Sequence, residues 1–132
     1  MLSGTAEYAL RAVVYLAGCR TAAPVRAAEL ARAVDVPANY MGKILHELAR
    51  AGILKSLRGK RGGFLLAVAA DQLPLLTVVS QFDRIGGERK CLLGWTTCSD
   101  HDPCATHQRW GQVAERIDEF FRNTTVADVM AR

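Results

Sequence analysis

The stretch VPANYMGKILHELARAGILKSLRGKRGGFLL, Val36 to Leu66, changes its hydrophobic period halfway along. Over residues 38–51, Met41, Ile44, Leu45 and Leu48 recur at helical spacing and predict one buried face. Asp35-Val36-Pro37 is a turn leading into this helix, where the missing proline N–H costs nothing. Ala51-Gly52 ends it, with a glycine where a helix terminator belongs. Two short apolar runs follow, Ile53 to Leu57 and Gly63 to Ala67, joined by Arg58-Gly59-Lys60-Arg61-Gly62. Apolar runs on either side of a glycine-rich loop predict a β-hairpin.

Upstream, a short helix over about residues 26–34 turns Leu30, Ala31 and Val34 inward. Before it, a helix over about 5–19 carries Ala9, Leu10, Val13, Val14, Leu16 and Ala17 at near-helical spacing. Helix, helix, turn, helix, hairpin is the order of a winged helix-turn-helix. Downstream, Pro74 opens a helix of about 75–85 bearing Leu75, Leu76, Val79 and Phe82, which Gly86-Gly87 ends. The following segment, with CLLGWTTCSDHDPCATH at Cys91–His107, has no period and reads as a loop. A long helix then starts near His107, with Trp110, Val113, Ala114, Ile117, Phe120 and Phe121 on one stripe. Thr125-Val126-Ala127-Asp128 has the pattern of a capped short terminal turn.

The expected fold class is therefore mainly α with a small β-hairpin. Residues 1–85 are expected to form a winged helix-turn-helix DNA-binding domain, 86–106 a cluster-binding loop, and 107–132 a dimerisation helix and tail. The stripe of Trp110, Val113, Ile117, Phe120 and Phe121 exceeds what one small winged domain can cover, so it predicts a homodimer. The monomeric alternative folds that helix back onto residues 75–85.

With 132 residues, half of them hydrophobic, the chain needs no covalent staple to fold. No run of about 18 uncharged apolar residues occurs, so nothing reads as a membrane span. Residues 1–63 hold ten Lys/Arg against four Asp/Glu, whereas the remainder holds seven against nine. The steepest cluster is Lys55, Arg58, Lys60 and Arg61, with Lys43 and Arg50 just before it. A basic first half joined to a slightly acidic second half suggests a polyanion surface plus a separate module, against the plainer reading of a solvated charged face. Leu16-Ala17-Gly18-Cys19 imitates a lipoprotein cleavage box, but it follows no basic leader, and Glu7 and Arg11 interrupt the apolar part. Cys19 is then expected in the core and the protein in the cytoplasm, where clustered thiols more often bind metal than form disulfides. No nucleophile–base pairing is legible, so an enzyme is not expected.

In a helix-turn-helix the second helix enters the major groove with its first turns near base edges. Asn39 has the chemistry to pair with adenine, Lys43 to donate to guanine or phosphate, and Tyr40 to reach a phosphate, with His46 and Glu47 further along the face. In the hairpin loop, glycines permit close approach to a phosphate, and Arg58, Lys60 and Arg61 supply three cations within four positions.

Cys91, Cys98 and Cys104 are separated by six and five residues, and no pair is C-x-x-C. Zinc knuckles favour tighter spacing, which makes zinc a second choice. A wide loop of soft thiolates suits an iron–sulfur cluster, with one coordination position left for nitrogen or oxygen.

Val36-Pro37-x-x-Tyr40-x-x-Lys43-Ile44-Leu45-x-x-Leu48-x-x-Ala51-Gly52-Ile53-Leu54, then Arg58-Gly59-x-x-Gly62-Gly63-Phe64-x-Leu66, resembles the Rrf family of bacterial transcription regulators. Glu7-Tyr8-Ala9-Leu10-Arg11 and Thr124-Thr125-Val126-Ala127-Asp128 resemble it too, so the likeness covers nearly the whole chain. It implies a homodimer on a near-palindromic operator in double-stranded DNA, the last helix crossing to its partner. It also implies Cys91, Cys98 and Cys104 as cluster ligands. In the family's iron–sulfur-assembly branch, a histidine three residues beyond the last cysteine completes a 2Fe–2S cluster, and His107 has that offset. In its nitric-oxide-sensing repressor branch, a carboxylate near the other subunit's amino terminus completes a 4Fe–4S cluster, and Glu7 matches it. The first cysteine spacing is six rather than the assembly branch's five, and both ligands stay open, as do Asp100, His101 and Asp102. The expected function is a regulator whose operator binding responds to a cluster sensing nitric oxide, redox state or iron–sulfur supply. The alternatives are the same scaffold with zinc or a thiol–disulfide switch, and a small iron–sulfur electron-transfer protein.

Overall fold

A computed structural model describes residues 2–19, 22–85 and 106–130. The opening helix α1 (Gly4–Gly18) starts at Ser3, whose hydroxyl accepts from the Ala6 N–H at 3.1 Å. Ala6, Ala9, Ala12 and Val13 are fully buried along one side of α1. These small side chains let neighbouring elements approach closely, and the helices at Ala38–Arg50, Leu75–Val79 and Val126–Val129 all rest on α1.

The helices α2 (Ala27–Ala33) and α3 (Ala38–Arg50) are joined by a tight turn. Asp35 there takes a left-handed backbone, φ 55°, a conformation aspartate tolerates better than most residues. The Val36 N–H then donates to the Ala31 carbonyl at 2.9 Å. Met41, Ile44, Leu45 and Leu48 are all buried on α3, as their spacing predicts. Pro37 is the N-cap residue of α3, at the helix entry where it is expected, and Gly52 beyond its end has φ 79°.

The hairpin pairs β1 (Leu54–Leu57) with β2 (Gly63–Leu66) antiparallel, from Leu54 opposite Leu66 to Leu57 opposite Gly63. Each strand is one residue shorter than expected at its end nearer the head, although Ala67 N–H still donates to the Ile53 carbonyl at 2.9 Å. The sequence also hides a third partner. Val25 and Phe64 exchange both backbone hydrogen bonds, at 3.1 and 2.8 Å, adding a one-residue strand to the sheet. This close crossing requires glycine at 63, where φ is 146° and a Cβ would lie 2.6 Å from Val25 backbone atoms.

A 3-10 turn at Ala70–Gln72 leads to α4 (Leu75–Val79), and this helix is a correction to the expected 75–85. Beyond Val79 the chain continues as turns, with Phe82 and Asp83 N–H both donating to the Val79 carbonyl at 3.0 and 2.8 Å. The turning chain packs Phe82 against the core and lets the Asp83 carboxylate accept from the Ser3 N–H at 2.8 Å. Cys19 is likewise corrected: it is half-buried at the C-cap of α1, beside the core rather than inside it.

The long helix α5 (His107–Asn123) and the short α6 (Val126–Val129) complete the fold. Leu75 N–H donates to the Thr124 carbonyl and Val126 N–H to the Leu73 carbonyl, both at 2.8 Å, clamping the distal segment beside the start of α4. The expected cap is present: Thr125 Oγ1 accepts from Asp128 N–H at 3.3 Å, and Asp128 Oδ2 from Thr125 N–H at 2.8 Å. Among the described residues no polar side chain is buried, so the core's specificity rests on shape and backbone pairing.

Two glycine substitutions should move stability in opposite directions. Gly63→Ala is expected to cost on the order of 1–3 kcal/mol, from backbone strain and collision with Val25. Gly42→Ala, inside α3 with open space at its Cβ position, should gain about 0.5–1 kcal/mol. Urea unfolding midpoints measure both; equal shifts would contradict the geometry.

Candidate nucleic-acid interface

The buried face of α3 fixes its opposite face outward. Asn39, Tyr40 and Lys43 all lie on that exposed side, Tyr40 with 54% of its surface free. No side chain caps the amino end of α3. An open helix start favours anions, because its first N–H groups lack partners. His46 and Glu47, also expected on this face, have partners within the protein. The His46 ring meets Phe64 edge to face, centroids 5.8 Å apart, linking α3 to β2. Glu47 pairs with Arg50 at 3.3 Å, an exposed contact worth little in stability.

The hairpin tip turns through Gly59, φ 100°, and the Gly62 N–H donates to the Gly59 carbonyl at 3.0 Å. Arg58, Lys60 and Arg61 are all exposed there. One participant was not legible in the sequence. Arg26, just before α2, donates from Nη2 to the Lys60 carbonyl and lies 3.5 Å from that of Gly59. Nothing in a periodicity reading pairs residues 34 positions apart; the Val25–Phe64 crossing brings them together.

Cys91, Cys98 and Cys104, with Asp100, His101 and Asp102, lie outside the described residues. The two proposed completing ligands stand on different helices: Glu7 is exposed in the first turn of α1, and His107 is half-exposed as the first residue of α5. Among the described residues no three His, Cys, Asp or Glu side chains are grouped to hold a metal.

The α5 stripe divides. Phe121 is only 4% exposed and belongs to the chain's own core, with Ile117 packed partly against it. Val113 and Phe120 remain about half exposed, and Trp110 is half-buried. Phe121 therefore cannot present its ring to a partner while the fold is intact. Beside Phe120 lies an open depression of about 780 Å³ edged by Glu115, Arg116 and Glu119. No helix among the described residues is long and apolar enough to cross a membrane.

A helix-turn-helix braced on a third helix and flanked by a cationic antiparallel hairpin defines a winged helix-turn-helix regulator. Residues 2–132 match the model of the Rrf2 family, described as iron-dependent transcriptional regulators, and the chain belongs to that family. It is 33% identical over 132 residues to a protein of Aquifex aeolicus assigned as an HTH-type transcriptional regulator, covering 98% of this chain and 91% of that one. It is 30% identical over 129 residues to the HTH-type transcriptional regulator IscR of Erwinia tasmaniensis, covering 98% of this chain and 78% of that one. In fold it is similar to CymR, the global cysteine regulator of B. subtilis, with TM-score 0.82 at 20% identity over 98% of this chain and 95% of that one. Regulators of this family bind DNA and are not enzymes, which sets aside the electron-transfer reading.

Neighbouring phenylalanines should respond differently to truncation. Phe121→Ala is expected to cost about 3–5 kcal/mol, as a buried ring leaves a cavity. Phe120→Ala should cost the fold itself at most about 1.5 kcal/mol, chiefly its edge contact with Phe121. Chemical unfolding at two protein concentrations checks this, because any extra loss that grows on dilution belongs to association rather than to the fold.

Proposed function

We propose that the chain is a homodimeric transcriptional regulator that reads a near-palindromic operator and whose operator affinity is set by an iron–sulfur cluster. Residues 1–85 are the DNA-binding head, 86–106 the cluster-binding loop, and 107–132 the dimerisation helix and tail. The observation that carries this reading is positional. The segment bearing Cys91, Cys98 and Cys104 is the sole covalent link between the head, which ends in turns after α4, and α5, with its uncovered Val113 and Phe120. Along the chain, a ligand held there falls between the head that carries α3 and the helix that carries Val113 and Phe120.

The donor set fits such a cluster: three soft thiolates, with His107 or a partner's equivalent of Glu7 for the remaining position. When bound, the cluster supplies a centre sensitive to oxidation and to nitric oxide. Cys91, Cys98 and Cys104 hold it, and His107 opens α5, so a change at that imidazole acts on the dimer helix directly. Glu7 instead sits in the first turn of α1, against which α3 packs, and would act on the head. In either case two reading heads are respaced, and half-site spacing is what a dimer discriminates.

Anaerobic purification, visible absorption and iron and sulfide analysis test the cluster. Expected is a coloured protein containing both elements; a colourless protein holding zinc alone would remove the cluster while leaving DNA binding in place. Spectra of His107→Ala beside Glu7→Ala then identify the completing ligand. The second reading keeps the scaffold with zinc or a thiol–disulfide switch, and the likeness in fold to Staphylococcus aureus CymR, described in an oxidized form, supports it. It expects a colourless protein whose DNA affinity follows thiol oxidation.

In this reading Asn39, Tyr40 and Lys43 face the major groove, and Arg58, Lys60 and Arg61 take phosphates or the minor groove. Replacing Arg58 and Arg61 together with Ala should weaken binding to every duplex and lower the salt slope by about 0.9 for each phosphate no longer neutralised. Asn39→Ala should instead erase about 1–3 kcal/mol of base preference at its own positions. Binding titrations at several salt concentrations separate the two effects.

A further inference from the structure

Arg26 is absent from the reading surface just described, yet its side chain is committed to it. The residue is the N-cap position of α2, in extended backbone (φ −73°, ψ 150°), and its side chain caps nothing in its own helix. Its neighbour Val25 is locked to Phe64 by two backbone hydrogen bonds. Residue 26 therefore leaves the edge of the sheet beside β2. From there its guanidinium reaches the hairpin tip, donating to the Lys60 carbonyl and approaching that of Gly59.

The hairpin is anchored unevenly. Its base is held by the Val25 crossing, by the buried Phe64 side chain and by His46 against Phe64. Among the described residues, the side-chain hydrogen bonds that join the tip to the rest of the head are those of Arg26. The Gly62–Gly59 bond closes the turn on itself without tying it to anything else.

The sign of the charge adds a separate argument. The tip already carries Arg58, Lys60 and Arg61. If only stability of the free protein mattered, a carboxylate would relieve this crowding better than a fourth cation. A guanidinium instead satisfies carbonyls while adding positive charge, an arrangement favoured when a polyanion lies alongside.

The geometry points to Arg26 as the positioning residue of the wing: it clips the tip to the first helix of the helix-turn-helix. In doing so it fixes where Arg58, Lys60 and Arg61 stand relative to Asn39 and Lys43 on α3. Because α2 and α3 are joined rigidly through the Asp35 turn, holding the tip to α2 holds it in register with the reading helix. This rests on the DNA reading proposed above.

The test uses the full chain with Arg26→Ala and Arg26→Lys, in wild-type and Arg61→Ala backgrounds. Trypsin cleavage after Arg58, Lys60 and Arg61, located by mass spectrometry, reads the tip without any DNA. Binding to a random-sequence duplex across a salt series reads its consequence. Expected for Arg26→Ala is several-fold faster cleavage at the tip with an unchanged melting temperature, partly restored in Arg26→Lys. Affinity should fall about 3–10-fold, as an ordered contact surface becomes loose. The salt slope should stay put, and the loss should shrink in the Arg61→Ala background, because Arg26 acts through the wing. Unchanged cleavage would overturn the proposal. So would an additive loss with a slope reduced by about 0.9, which would make Arg26 a phosphate contact in its own right. Faster cleavage in a protein whose wild type binds no duplex would establish the clip but overturn its assigned purpose, along with the DNA reading.

Discussion

The exchange of backbone hydrogen bonds between Val25 and Phe64 is the constraint on which the head depends. It sets a strand residue from before α2 against the second strand of the hairpin and admits only glycine at the neighbouring position 63. From that crossing the Phe64 ring turns inward, only 7% exposed, and meets His46 of α3 edge to face. One residue thus ties together the entrance to α2, the wing and the reading helix. A hairpin of two four-residue strands is marginal alone in water. Here it is held to the head because Val25 engages its backbone and His46 of α3 meets its one buried ring.

A second junction governs the other end of the head. After Val79 the chain abandons helical geometry, and Asp83 uses its carboxylate to hold the Ser3 N–H at the start of α1. The segment that then leads toward the cysteines departs from a point fixed on α1, two residues beyond Asp83. Beyond that segment, the distal end of α5 is held to the head by Phe121 in the core and by the Thr124 carbonyl accepting from Leu75 N–H.

The parts of this fold that were legible in the sequence are those whose partners are near in the chain. The α3 stripe of Met41, Ile44, Leu45 and Leu48 announces its buried face because a helix repeats every few residues. The glycine-rich tip announces the hairpin, and Thr125 with Asp128 announces the last cap. What failed depended on distant partners. Phe82 falls at a helical offset from Val79, but the backbone there bends to satisfy Ser3, some 80 residues earlier. Phe121 shares a stripe with Phe120, yet the clamp at Thr124 rolls Phe121 into the core and leaves Phe120 outside. Arg26 reads as one more surface cation until the Val25 crossing places it at the tip. For the cysteines, ligand chemistry could be read from residue type, whereas the completing ligand depends on which helix end comes near.

Val126, fully buried and hydrogen-bonded to the Leu73 carbonyl, is supplied from far downstream of the elements it seals. During synthesis on the ribosome the three-helix head and wing emerge many residues before it does. Until α6 arrives, the nascent head lacks the buried Val126 that packs along α1, and domains generally fold as units. A chain halted within the cysteine segment would carry a formed reading helix on an unfinished core. Completion of the head is in this way tied to completion of α5. Apart from prematurely terminated chains, the exposed face of α3 is then presented only together with the helix that follows the segment bearing Cys91, Cys98 and Cys104.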